Sequence, residues 1–142
     1  MAEAAYNRFK KGLADADEDW PGGDYRSLLL VGATTFDAAD ASLADVIATG
    51  NTEASDGSYA RVAYSTKVNT QDDVNDRADL GADTLDYGAL DNETPTALIT
   101  YRHVDGTNAN DLAVGFHDTN FGTPANGAGY QVQWPNDVIR IT

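Results

Sequence analysis

From Tyr59 onward, apolar and polar residues alternate in short runs, and turn residues separate the runs. Ala60, Val62 and Tyr64 alternate with Arg61 and Ser65, and Ile99 and Tyr101 alternate with Thr100 and Arg102. Leu112, Val114 and Phe116 alternate with Ala113, Gly115 and His117. Tyr130, Val132 and Trp134 alternate with Gln131 and Gln133. A period of two puts one set of side chains on one face of a strand. Lys67–Gln71, Arg77–Leu80, Thr84–Asp86 and Val138–Thr142 add short strands, with turns at Gln71–Asp76, Asp105–Gly106 and Pro135-Asn136-Asp137. This spacing predicts a mainly β fold, an antiparallel β-sandwich or barrel-like domain.

The N-terminal part reads differently. Tyr6, Phe9 and Leu13 make one apolar stripe, which predicts a short N-terminal helix over residues 4 to 14. Asp15–Asp24, with Trp20-Pro21-Gly22-Gly23, ends that helix in turn chemistry. Tyr25–Val31 is continuously apolar around Leu28-Leu29-Leu30, as expected for a strand covered on both faces. After a loop over Gly32–Asp40, Ser42 and Asp45 predict a capping box, and Leu43, Val46 and Ile47 give the apolar face of a helix of a turn or two. That helix stops near Gly50, and Asn51–Ser58 reads as a polar loop. The 142 residues suit a single β-sandwich domain, 1–142, with a helical arm over 1–14 and a β-rich body over 24–142.

Charge narrows the function classes. The formal net charge is -14, from 19 Asp and 4 Glu against 9 basic residues, of which only Lys10, Lys11 and Lys67 are lysines. Phosphates would be repelled, so nucleic acid is not an expected partner. Aspartate in excess with scarce lysine fits a surface meant for salty solvent: molar salt shortens the Debye length to about 3 Å, so dense carboxylates cease to repel. No apolar run approaches the roughly 20 residues of a membrane span, and MAEAAYNRFKK lacks an apolar core, so neither a membrane partner nor a secretory signal is expected. The chain has no cysteine, which removes disulfides, thiolate metal sites and a thiol nucleophile.

Several phrases occur in a fixed order. They are Tyr6-Asn7-Arg8-Phe9-Lys10 before an acidic loop and apolar strand, Gly57-Ser58-Tyr59-Ala60-Arg61-Val62, and Asp72-Asp73-Val74-Asn75-Asp76-Arg77-Ala78. Leu98 to Asp105 then ends in a turn, and Gln133-Trp134 precedes a turn and the ending Ile139 to Thr142. In these phrases the chain resembles small virion structural proteins of tailed viruses, encoded among head and tail genes. It departs from them in its extra aspartates and in the strand bearing His103. The resemblance implies a β-rich, non-enzymatic module located in the virion, without assigned catalytic or cofactor residues. Its expected role is capsid decoration or cement on the head shell, with the major capsid protein, other virion proteins or further copies of itself as partners. With the aspartate bias, the expected host is a salt-loving archaeon. The alternative is a tail, turret, fibre or spike module that reads a host glycan or surface protein. Trp20 and Tyr87, in loops, would be its sugar platform, and Trp134, in a strand, would be core.

Candidate sites are few. Asp72, Asp73, Asn75 and Asp76, joined by Asp79, offer hard oxygens of the type Ca²⁺ takes, but Asp and Asn also favour turns by bonding their own backbone. No metal site is assigned on that basis. Asp15, Asp17 and Asp19 begin like a calcium loop, yet Trp20 stands where glycine is needed and Arg26 where an acid is needed. His103 and His117 fall roughly 16 Å apart along a hairpin, too far to share a ligand. No G-x-S-x-G elbow occurs, Gly127-Ala128-Gly129 precedes a strand, and a small shell without a deep cleft argues against a carboxylate-pair glycosidase. No catalytic residue and no cofactor is therefore expected. The first place to look for a partner contact is the N-terminal turn, where Arg8, Lys10 and Lys11 form a basic patch beside Tyr6 and Phe9. The simpler reading is that Tyr6, Phe9 and Leu13 pack on the sandwich.

Overall fold

The computed structural model describes residues 3–119, 121, 129–133 and 138–141. In chain order the elements are β1 (Glu3–Ala5), α1 (Asn7–Ala14), β2 (Tyr25–Val31), α2 (Leu43–Ala48), β3 (Thr52–Glu53) and β4 (Val62–Ala63). There follow β5 (Lys67–Asp72), β6 (Arg77–Ala82), β7 (Leu85–Ala89), β8 (Pro95–Arg102), β9 (Leu112–His117), β10 (Gly129–Val132) and β11 (Ile139–Ile141). The fold is mainly β and sandwich-like, and all its strand pairs are antiparallel.

The largest sheet runs β1-β9-β8-β2-β3, with β4 also on β2. Its central strand explains the Leu28-Leu29-Leu30 run. Leu28 and Leu30 point into one core with Ile99, Tyr101 and Phe116, which α2 covers with Leu43 and Val46 and the preceding loop covers with Phe36. Tyr25 and Leu29 point the other way, into a core with Trp20, Leu80, Leu85, Tyr87 and Leu90. That second core is roofed by the smaller sheets β11-β6-β5 and β10-β7. Alternate residues of β2 thus serve opposite layers, and each fully buried leucine contributes about 1.5–3 kcal/mol. In β9, a register shift opposite Thr100 and Tyr101 lets Ala113 and Phe116 reach the same core despite their odd spacing.

The local reading of α2 holds in detail. The Asp45 N–H donates to Ser42 Oγ at 3.3 Å, and the Ser42 N–H donates to the Asp45 carboxylate at 3.0 Å. The N-terminus departs from expectation. Helix was expected from residue 4, but residues 3–5 pair with β9, and α1 starts only at Asn7. The backbone N–H of Tyr6 donates to Val114 O at 3.1 Å and that of Asn7 to Ala38 O at 3.0 Å. Pairing with the β9 edge satisfies backbone groups that a longer helix would leave to solvent. The expected polar loop 51–58 contains the short β3, and the expected strand from Tyr59 shrinks to β4. Trp134 and the 135–137 turn lie outside the described residues.

The Gly57-to-Val62 phrase closes the open edge of β2. β4 pairs with Arg26 and Ser27, and β3 pairs with Leu30 and Val31. Between them, the Leu29 N–H donates to Tyr59 Oη at 3.1 Å, and Tyr59 Oη donates to Glu53 at 3.0 Å. Arg61 grips the same carboxylate with two bonds, 2.8 and 2.6 Å, and lies 5.6 Å from the centre of the Tyr101 ring. Gly57 has φ +62, and a Cβ there would sit 2.3 Å from Ala89 O, so both backbone conformation and space require glycine.

Candidate functional site

The N-terminal turn is anchored to the body. Tyr6 and Phe9 are fully buried, one in each core. This corrects the expectation that they could bury against a partner. Arg8 pairs with Glu18, whose side chain is wholly buried. Tyr25 Oη donates to the same carboxylate at 2.5 Å, and Arg102 lies 3.6 Å from it. Burial first, and then the Glu18 carboxylate, pushes the Tyr25 hydroxyl well above its ordinary pKa. Lys11 pairs with Asp15, and that bond raises the pKa of the Lys11 ammonium. Lys10 is exposed. The basic patch therefore reduces to Lys10 and a tethered Lys11, because Arg8 holds the α1–β2 loop in place.

The acidic phrase at 72–78 forms the β5–β6 hairpin. Asp72 accepts the N–H of Val74 at 3.1 Å, the N–H of Asn75 at 3.2 Å and Asn75 Nδ2 at 2.7 Å. Those bonds, the Asn75 amide foremost, hold its carboxyl below the usual range. Arg77 lies 3.1 Å from Asp72 and 3.0 Å from Asp79. Asp73 accepts from the Gln71 amide, and Asp76 takes the left-handed backbone at φ 51. These are the bonds of a turn. Among the described residues no group of three or more His, Cys, Asp or Glu is arranged to hold a metal ion.

The two histidines are separate features. Leu98 faces His117 and Arg102 faces Leu112, so His103 lies at the far end of the β8–β9 hairpin from His117. His103 Nδ1 lies 3.3 Å from Asp111, whose buried carboxylate also accepts the N–H groups of Val104 at 2.8 Å and Gly106 at 3.3 Å. Burial pushes the Asp111 carboxyl up, and these bonds outweigh it and hold it below the usual range. His117 is buried, which pushes its pKa down to about 3.

The aromatic platform is absent where it was expected. Trp20 and Tyr87 are each 1% exposed. Trp20 packs on Tyr25 and Tyr64, and its Nε1 donates to Gly81 O at 3.0 Å. Tyr87 Oη donates to Ser27 Oγ at 2.5 Å inside the core. Both side chains reach across layers from loop and edge positions, a contact that local sequence pattern does not encode.

The strand expected over Lys67–Gln71 is β5, and what the sequence did not mark is that it forms a sheet edge. Its central residues 68 to 71 are all exposed, and Val74 at the hairpin tip is 91% exposed. β5 pairs with β6 from Lys67↔Ala82 to Asp72↔Arg77, and the Asp83 N–H donates to Thr66 O at 3.2 Å. Since hydrogen-bonded pairs alternate in an antiparallel ladder, Thr66, Val68, Thr70 and Asp72 bond toward β6. The N–H and C=O groups of Lys67, Asn69 and Gln71 face outward. The Val138 N–H, donated to Leu80 O at 2.7 Å, fits the same phase on the other side of β6. The run Lys67–Gln71 was legible as a strand, but nothing local showed that it would lie at an edge. No protein-family model, curated protein or solved structure matches this chain.

Proposed function

We propose that this protein is a virion structural protein that decorates and stabilises the head shell of a tailed virus of a salt-loving archaeon. The observation that carries the reading is the ordered set of phrases in which the chain resembles virion structural proteins, together with the structural work those phrases do. The Gly57–Val62 phrase closes the edge of β2, and the Asp72–Ala78 phrase builds an exposed hairpin on a firmly cross-braced sandwich. A decoration protein acts by burying surface against its neighbours, on the order of 1,200–2,000 Å² per specific interface, with avidity from repetition over the shell. That role asks for a rigid body and exposed contact elements, not for a catalytic constellation. Placement on the tail as a glycan reader is the weaker reading, because Trp20 and Tyr87 lie in the core.

Copy number tests this. In purified virions, quantitative mass spectrometry should find the chain in near-stoichiometric proportion to the major capsid protein. A few copies per particle would place it in the tail or a spike and overturn the decoration role.

A further inference from the structure

Sheet edges expose unpaired backbone groups, and proteins blunt them by keeping them short, irregular or covered. The other edges among the described residues follow that rule. β3 and β4 have two residues each, and β1 and β11 have three. β10 carries a register shift. The outer side of β7 is covered by the 58–60 segment, whose Ser58 N–H donates to Ala89 O at 2.9 Å and Ala60 N–H to Tyr87 O at 3.4 Å. β5 breaks the rule. It has six residues in unbroken register with β6, contains neither proline nor bulge, and presents Lys67, Asn69 and Gln71 outward.

We propose that the outer edge of β5 pairs with β5 of a second copy of this chain, antiparallel about a two-fold axis at Asn69. Only residues whose backbone groups face outward can form hydrogen-bonded pairs, and these are every second residue of the strand. The register centred on Asn69 uses all three. Asn69 faces its own counterpart, and Lys67 faces Gln71 of the second copy. Each of these pairs exchanges two hydrogen bonds. Lys67, Asn69 and Gln71 of both copies share one face of the joined sheet. On the opposite face, Val68, 51% exposed, meets Thr70 of the second copy.

The pair is weak by itself, because two short edges bury far less than the roughly 1,200 Å² of a standard interface. Many copies held side by side on one surface would raise its occupancy through effective concentration. The net charge of -14 on each chain opposes pairing at low salt. Molar salt screens that repulsion and leaves the backbone bonds in place. The pairing is a property of the chain and stands or falls independently of the virion role.

A single engineered cysteine tests it, since the chain has none. Hydrogen-bonded antiparallel partners have Cα atoms about 5.5 Å apart, within disulfide range. In molar salt, Asn69→Cys should oxidise to a covalent dimer several times faster than Val74→Cys, although Val74 at the hairpin tip is 91% exposed. Equal rates, or faster crosslinking of Val74→Cys, would overturn the proposal. Sedimentation equilibrium supplies the second readout. The wild-type chain should show a concentration-dependent dimer, and Asn69→Pro should lose it, because its N–H makes no bond to β6. A dimer that survives Asn69→Pro, or a wild-type chain that stays monomeric at the highest soluble concentration, would also overturn it.

Discussion

Asp56 and Glu93 cap each other's loops. The Asp56 carboxylate accepts the backbone N–H groups of Asp91 at 3.2 Å, Asn92 at 2.6 Å and Glu93 at 3.0 Å. The Glu93 carboxylate accepts those of Ser55 at 2.7 Å and Asp56 at 3.1 Å. Each carboxylate is thus held by the backbone amide dipoles of the other's loop. The clasp ties the loop after β3 to the loop before β8. Asp56→Ala should lower stability by about 1–3 kcal/mol in chemical denaturation, the range for losing hydrogen bonds to a charged group. Glu93→Ala should cost a similar amount. The double variant should cost less than the sum, because either loss frees both loops.

Glu18 is the second brace. It joins α1 through Arg8, β2 through Tyr25 and the end of β8 through Arg102. Removing it leaves the Tyr25 hydroxyl without its acceptor and the partly exposed Arg8 and Arg102 without their carboxylate, so Glu18→Leu should destabilise by about 1–3 kcal/mol. Gly12→Ala should act on the same brace from the other side, since a Cβ at Gly12 would sit 2.5 Å from Glu18 Cγ. Thermal denaturation of both variants checks this, and Lys10→Ala, on the exposed side of α1, should leave the melting temperature unchanged.

Acid should weaken the fold first through His117. Its pKa falls from 6.5 to about 3 on burial, so the unfolded chain binds a proton that the folded chain refuses between those values. Stability is therefore full above about pH 6.5 and declines as pH falls toward 3. His117→Gln should flatten the stability profile in that window. Asp111 acts lower on the scale. Its folded pKa is depressed, so its contribution is present above the unfolded value of about 3.9 and is lost as pH falls through the folded one. Asp111→Asn should remove that acid limb, at the cost of the bonds that hold the 104–106 turn.

Salt should act in the opposite direction to its usual effect on ion pairs. At a net charge of -14, lowering ionic strength from molar to about 0.1 M lengthens the Debye length from about 3 to about 10 Å and lets surface aspartates repel. The melting temperature should drop on dialysis to low salt. An unchanged melting temperature would remove the salt-adaptation reading of the aspartate bias.

Much of the fold was legible because it rests on local chemistry. The Ser42–Asp45 box, the doubly buried β2 and the β5–β6 turn each follow from a few adjacent residues. What was not legible depends on distant partners. Tyr6, Phe9 and Leu13 had helical spacing, yet Tyr6 ends as the cap residue because β9 offers backbone pairing to residues 3–5. Trp20 sits among turn residues, yet its indole bonds to Gly81, 61 residues away. The same limit applied to the contact surface. The N-terminal cations stood out by charge, but Glu18 and Asp15 engage Arg8 and Lys11, and the exposed β5 edge carries no compositional mark.

The most direct test of the proposed role is a density map of particles of the virus proposed to encode this chain, resolved well enough to trace strands. The account predicts that the sandwich fits density repeated across the outer surface of the head shell, against the major capsid protein. Density for the chain confined to the tail, or its absence from the particle, would contradict it.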